Sequence, residues 1–353
     1  VKPFVLRSNV TLRLDDRAEI YASQNVADYP VRNGQRCFAY AESATNVAII
    51  GKGLFYGSGY RFRQPQALPG ESQPQALPVM LRFSRCRDVR LEDVALCSCG
   101  AWSCHLRNCD GAVVRRVKIL NHVNNTNDGL DIESRRGTVE DCTIDSGDDA
   151  LVFRANHRPF RSGGPRPCER ITVMNCQLTS RANCIRIGWL NDGVVRNATF
   201  SNLTMTDSAC GIGIDLPPFE KGMDDYGDEA SLYENLVFDS IVMDRVYAAP
   251  IRIDVTDKDF TRLEAIRNIT FSNIRARAYR WPSVKNLKRD RPLENVTFSN
   301  CSFTRCADGT FPNLWKQMGA AYWWYRDGES FCGVKGVRFD GCTFDESDEK
   351  VRR

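Results

Sequence analysis

The chain has 353 residues, and its 48 lysines and arginines against 44 aspartates and glutamates leave a net charge of only +4. An excess that small gives no strong field to steer the protein onto a polyanion, which argues against a nucleic-acid partner. No run of about 18 or more apolar residues is present to read as a membrane-spanning helix, and the opening VKPFVLRSNV lacks the layout of a signal peptide.

One phrase of alternating apolar residues, roughly Asn-Val-Thr-Phe-x-Asn-Cys-x-Phe, recurs through the chain. In order, the copies are NVAIIGKGLF from Asn46, DVRLEDVAL from Asp88, AVVRRVKIL from Ala112, GTVEDCTID from Gly137 and RITVMNCQL from Arg170. NATFSNLTM from Asn197, NLVFDSIVM from Asn235, NITFSNIRA from Asn268, NVTFSNCSF from Asn295 and GVRFDGCTF from Gly336 follow. Successive starts lie 24 to 42 residues apart, a period with loops of variable length. Each copy is a short period-two strand, a polar turn and a second short strand, with no sustained helical stripe. The leucine-rich and Trp-Asp propeller signatures are missing. The expectation is an all-β, single-domain right-handed parallel β-helix over residues 1–353, a rod of about ten coils and about 50 Å at roughly 4.8 Å per coil.

Three segments break the phrase and are expected to leave the rod as loops: residues 62–80, with a duplicated QPQALP, residues 215–231, and residues 307–330, which carry Trp315 and Tyr322-Trp323-Trp324. For the aromatic cluster, capping the rod is the favoured job over sugar stacking. Long loops on a rigid scaffold are where binding surfaces are usually built. The Asn-x-Thr triplets at Asn9, Asn124, Asn197, Asn202, Asn268 and Asn295 mostly belong to the phrase, and read as turn chemistry before glycosylation sites.

The fifteen cysteines could suggest disulfides or zinc. Cys97, Cys99, Cys104 and Cys109 lack paired CxxC knuckles, while Cys142, Cys176, Cys301 and Cys342 share one place in the phrase. These last are expected to be small apolar residues stacked inside the solenoid.

The densest chemistry lies in NNTNDGLDIES (124–134) and SGDDALVFRA (146–155). Asp128 precedes Asp148 by 20 residues and Asp149 by 21, close to one coil, so the three carboxylates should gather on one face. Their repulsion should raise at least one pKa, giving a general acid beside a carboxylate that activates water. Each motif alone also fits a plain Asp-Gly turn, which is where Asp131 and Asp145 are placed. Clustered carboxylates could alternatively hold calcium.

These residues, with LRSNVTLRLDD, ADYP and ATNVAIIGKGLFYGSG, resemble glycoside hydrolase family 28, the polygalacturonase family of pectin-degrading inverting hydrolases, over nearly the whole chain. The opening is similar to the family's first coil from partway through it, implying an N-terminally trimmed chain. The resemblance implies Asp128 as a base, Asp148 as general acid toward the leaving oxygen, and Asp149 as the base that holds water. Where the family has Gly-His-Gly, this chain has Ala182-Asn183-Cys184, and the family's Arg-x-Lys pair falls on Gly213 and Asp215. That loss argues against plain homogalacturonan.

Arg154 and Arg186 could supply the missing positive charge, although each also fits a solvated exterior ladder. Asn127, His157 and Trp189 complete the expected substrate-binding set, and His122 stands just before the acidic turn. The expectation is a secreted or periplasmic, monomeric glycosidase acting on a polysaccharide or oligosaccharide, without metal or cofactor. Two alternatives stand beside it: a calcium-dependent polysaccharide lyase on the same fold, and a carbohydrate-binding β-helix without catalysis.

Overall fold

A computed structural model describes residues 1–32, 34–62, 77–124, 126–155, 166–216, 229–288, 290–306 and 335–347, with the backbone of 331–332. Among the described residues the only helical pieces are two single 3-10 turns, Val26–Asp28 and Gly59–Phe62. Everything else regular is strand. Apart from a two-residue antiparallel contact between Val31–Arg32 and Gln35–Glu42, all strand pairs are parallel.

The strands wind as the expected right-handed β-helix, the hand of parallel crossovers generally, with three faces per coil. One vertical ladder of the second face runs Val10, Val47, Val89, Ala112, Gly137, Ile171, Ala198, Leu236, Ile269, Val296, Val337. That makes eleven coils among the described residues, one beyond the ten copies of the phrase.

Two corners of the coil explain why the phrase begins and pivots on asparagine. The residue just before each ladder position has left-handed backbone: Asn9, Asn46, Asp88, Gly111, Arg136, Arg170, Asn197, Asn235, Asn268, Asn295 and Gly336 all have φ between 51° and 85°. The next corner repeats the device at Asp93, Arg116, Asp141, Asn175, Asn202, Ser240, Asn273, Asn300 and Gly341. Asn, Asp and Gly reach this region at least cost, which is why they recur there.

The asparagine side chains then bond coil to coil. Asn235 donates to Asn197 at 3.0 Å, Asn268 to Asn235 at 3.1 Å and Asn295 to Asn268 at 3.0 Å. Asn202 donates to Asn175 at 2.8 Å and Asn300 to Asn273 at 2.7 Å on the other corner. Five of the six Asn-x-Thr asparagines are corner residues, and Asn124 instead ties down the Gly100 carbonyl at 2.7 Å.

Inside, the strands bury their alternate residues in columns. Phe200, Phe238, Phe271, Phe298 and Phe339 stack at 4.6, 5.0, 4.7 and 4.7 Å, with interplanar angles under 20°. Isolated aromatic pairs favour offset or edge-on contacts, so the near-parallel stack reflects the strand spacing. Cys142, Cys176 and Cys301 are buried in another column, with Cys342 part-exposed at its end. Their thiols donate to backbone carbonyls, Cys142 to Glu140 at 3.3 Å and Cys301 to Ser299 at 3.3 Å. All fourteen cysteines among the described residues are free thiols.

At the ends of two of the expected excursions the structure describes strand and turn. Val79–Ser84 is a strand and Phe62 closes a 3-10 turn. Asp215 and Leu216 end the strand Cys210–Leu216, and Glu229–Val246 begins before the proposed boundary at 231. Strand pairing carries these ends further than turn-forming neighbours suggest. Residues 63–76, 217–228 and all of 307–330, including Trp315 and Tyr322-Trp323-Trp324, lie outside the described residues.

Truncating the middle of the phenyl stack should be costly. Phe238→Ala is expected to lower unfolding free energy by about 3–5 kcal/mol, and Phe339→Ala, whose side chain is 40% exposed, by clearly less, read from chemical-denaturation midpoints.

Candidate active site

The first face of the rod alternates like the others. Leu106, Ile132, Phe153, Ile187, Ile214 and Ile253 point inward, and the residues just before them form a second column: His105, Asp131, Val152, Arg186, Gly213 and Arg252. Most of that outer column is polar, and His105, Asp131 and Arg252 are buried, Asp131 3% and Arg252 4% exposed. Charges removed from water in this way must be paired or shift their protonation.

The acidic turns enter this face immediately before the strands Leu130–Glu140 and Leu151–Phe153. The Gly129 amide donates to the Asp149 carbonyl at 2.9 Å and the Asp148 amide to the Asn127 carbonyl at 3.3 Å. Asp128 therefore stacks on Asp149, and Asn127 on Asp148. The Ala150 amide donates to the Asn183 carbonyl at 2.9 Å, so Asn183 continues the Asp128–Asp149 column. Gly129 is forced by this closeness, since a Cβ there would lie 2.3 Å from the Ala150 carbonyl oxygen.

Asp149 is 1% exposed and fully partnered. Its Oδ1 accepts from the Asn183 amide at 2.9 Å and from Asn183 Nδ2 at 2.6 Å, and its Oδ2 from Arg186 Nη1 at 2.6 Å. Burial is the largest single influence and works against the Arg186 charge, but the attraction and hydrogen bond of Asp149 together with the charge of Asp215 more than offset it, so the guanidinium pKa rises. Its carbon lies 3.4 Å from the centre of the Trp189 ring, a close cation–π contact. Asp128 has no such counter-charge in contact among the described residues: burial, then Asp131, Asp148 and Asp149, push its carboxyl well above the ordinary carboxylate range. Asp131 is raised in the same direction by burial and then by Asp149. Asp148 is only half-buried, and the hydroxyls of Ser146 and Ser180 pin its backbone carbonyl at 2.7 and 2.6 Å.

Among the described residues, several buried polar atoms in this cluster have no hydrogen-bond partner: Asp128 Oδ1, Asp131 Oδ2, Asn183 Oδ1, Asp215 Oδ1, and Nε and Nη2 of Arg186. Leaving such atoms unmade costs about 1–3 kcal/mol each, more for charged groups. Their gathering on one face lowers the stability of that face rather than adding to it.

The other expected residues divide. Asn127 is fully buried and its amide is spent on backbone, Nδ2 donating to the Ala101 carbonyl at 3.0 Å and Oδ1 accepting from the Asn124 amide. It shapes the turn that presents Asp128. Arg154 is 4% exposed and holds Asp192, with Nη2 to Oδ1 at 2.9 Å. Its charge is already matched. Trp189 is 7% exposed, with one face against Arg186. His157 lies outside the described residues. His122 pairs with Asp145, on the third face rather than with the carboxylate cluster.

The sequence reading missed four parts of this face. Asp131, taken for a turn or structural acid, lies mid-strand in the cluster. Arg252 reaches from the following coil to Asp215, and His105 meets Glu133 at 2.9 Å with Trp102 edge-on to its ring. Asn183, noted as the residue standing where the family has histidine, clasps Asp149. The strand register that brings these residues together was the signal available, since one coil of spacing separates each pair.

The raised Asp131 carboxyl has a defined linkage sign. A folded-state pKa above the unfolded value of about 3.9 means that the native protein binds more protons. The group's contribution is fully present below the unfolded pKa and is lost as pH rises through the folded one. Asp131→Asn removes that loss, so the stability of the variant relative to wild type should be more favourable at pH 7 than at pH 4, measured by denaturant titration at both.

The family description "Glycosyl hydrolases family 28" matches residues 6–312. A "Probable polygalacturonase" from Vitis vinifera is 23% identical over 229 residues, covering 60% of this chain and 46% of its own length. A "Probable polygalacturonase" from Arabidopsis thaliana is 23% identical over 277 residues, covering 74% of this chain and 57% of its own. The chain thus spans about half the length of these curated relatives. Among solved structures, an exopolygalacturonase from Thermotoga maritima superposes with a TM-score of 0.69 at 20% identity, over 86% of this chain and 77% of that one. With the family description matching most of the chain, the protein belongs to glycosyl hydrolases family 28, a family of glycosidases.

Proposed function

We propose that this protein hydrolyses a glycosidic bond in a pectic or related acidic polysaccharide or oligosaccharide, with inversion, using Asp128, Asp148 and Asp149. The observation that carries the reading is the meeting of those carboxylates with a half-buried arginine whose Nε–Nη2 edge has no hydrogen-bond partner among the described residues. Two parallel N–H groups on one planar edge match a carboxylate in bidentate fashion. Arg186 would hold a uronate carboxylate by that edge while its Nη1 stays on Asp149.

In this scheme Asp148, the half-exposed member, gives its proton to the leaving oxygen. Asp149, positioned by its hydrogen bonds from Arg186 and Asn183, takes a proton from the attacking water. Asp128, which the resemblance reads as a base, is the carboxyl that burial and then Asp131, Asp148 and Asp149 push well above the ordinary carboxylate range. Gly213 and Asp215 in place of a cation pair support a substrate other than plain homogalacturonan. Such polymers are met outside the cytoplasm, which favours a secreted or periplasmic protein, acting as a monomer.

The test is reducing-end release from a panel of pectic polysaccharides and oligosaccharides. Asp148→Asn is expected to lower kcat by at least about 10²-fold, the scale of general-acid catalysis, with no rise in ultraviolet absorbance. An absorbance rise would instead mark a lyase, and binding without release a non-catalytic module. Arg186→Lys, which keeps the charge and loses the fork, should raise KM by about tenfold on uronate-bearing substrates, an effect of about 1.4 kcal/mol.

A further inference from the structure

We infer that Trp189 is a positioning residue: clamped from later coils, it holds the Arg186 guanidinium against Asp149, and it serves the reaction through that arginine instead of stacking a sugar. The inference rests on the proposal that Asp149 and Arg186 act on a sugar substrate.

The strand Asn183–Ile187 carries Arg186 and stops at Gly188, whose backbone is left-handed at φ 69°. A Cβ at Gly188 would stand 2.0 Å from the phenol oxygen of Tyr233, so the approach of that ring excludes a side chain there. Tyr233 is fully buried in the strand Glu229–Val246, one coil later, and donates through Oη to the Trp189 carbonyl at 2.9 Å. Asn191, left-handed at φ 53°, supplies the second tether. Its Nδ2 donates to the Phe260 carbonyl at 2.8 Å, and its Oδ1 accepts from the Arg262 amide at 2.7 Å. The turn is fixed at both ends from later coils, and it folds Trp189 back over the arginine.

Arg186 Nη1 donates to Asp149 Oδ2 at 2.6 Å. A single hydrogen bond leaves a planar guanidinium free to swing about it. Trp189 removes that freedom, because the guanidinium carbon lies 3.4 Å from the ring centre, flat contact between a cation and the electron-rich face of an indole. The ring itself is 7% exposed and gives one face to the arginine, so little of it is left for a sugar. The other oxygen of Asp149 is held by the Asn183 amide and Nδ2. Both sides of the carboxylate are thereby fixed, and Trp189 stands behind one of them.

The experiment is a double-mutant cycle on the full chain, reading kcat/KM for reducing-end release from pectic oligosaccharides under conditions where denaturation curves show each variant folded. Trp189→Leu, which keeps apolar bulk and loses the ring face, is expected to lower kcat/KM by about tenfold. Trp189→Phe should recover most of that loss. In an Arg186→Gln background, adding Trp189→Leu should change kcat/KM by less than about twofold, since the arginine it positions is already gone. Losses that multiply in the double variant overturn the inference, because a sugar platform or a purely structural tryptophan would act whether or not Arg186 is present. No loss in Trp189→Leu overturns it too. If Trp189→Leu does not fold, Tyr233→Phe, which removes only the hydroxyl on the Trp189 carbonyl, takes its place in the cycle with the same two criteria. A wild type that releases no reducing ends defeats the hydrolase reading, and the cycle is then read as calorimetric affinity for the same oligosaccharides. Absence of affinity as well removes the sugar substrate and the inference with it.

Discussion

Each coil of this rod turns two corners through left-handed backbone, and that repeated corner keeps every coil in phase with the next. A residue at φ near +55° is strained for most side chains, so the corner is populated by Asn, Asp and Gly, with Arg and Ser at a few places. Once the corner is set, strands on all three faces must pair in parallel with their neighbours at about 4.8 Å. The asparagine hydrogen bonds from coil to coil tie the corners together on the outside, as the phenyl and cysteine columns do on the inside. A slip of one residue would turn every inward side chain outward. The buried columns oppose such a slip across the whole rod.

The active face depends on that phase. Asp128, Asp149 and Asn183 come from three coils and meet because each stands two residues before an inward strand residue: Leu130, Leu151 and Ile185. The face then carries an unusual density of buried charge. Pairs neutralise much of it, Arg154 with Asp192, Arg186 with Asp149 and Arg252 with Asp215. Buried ion pairs seldom improve stability over apolar packing, so this face draws on the surrounding apolar columns for its rigidity. What remains unmatched among the described residues, chiefly at Asp128, Asp131, Asn183 and Asp215, is concentrated on this same face.

Rigid pairing also separates groups of like chemistry. Asp149 accepts three hydrogen bonds, two from Asn183 and one from Arg186, whereas burial and then the neighbouring acids Asp131, Asp148 and Asp149 push the Asp128 carboxyl, one coil away, well above the ordinary range. Two aspartates in one column thus meet different surroundings because they come from different coils. Preorganised differences of this kind let carboxylates divide acid and base roles near neutral pH.

Sequence alone determined the architecture and showed that three carboxylates would gather on one face, because both follow from the period of the coil. The period-two phrase, its asparagine corners and the 21-residue step from Asp128 to Asp149 are local patterns, and local backbone preference dictates them. Partnership on the active face belonged to the tertiary structure. That Arg154 is occupied by Asp192, that Arg186 lies on Trp189 and holds Asp149, and that Asp131 is a buried member of the cluster depend on side chains brought together from different coils. A strand alternation marks a residue as outward-facing, and outward normally means solvated. Only the assembled face shows that here the outward column is buried, so that each charge must find a partner, give up its ionisation or wait for a ligand.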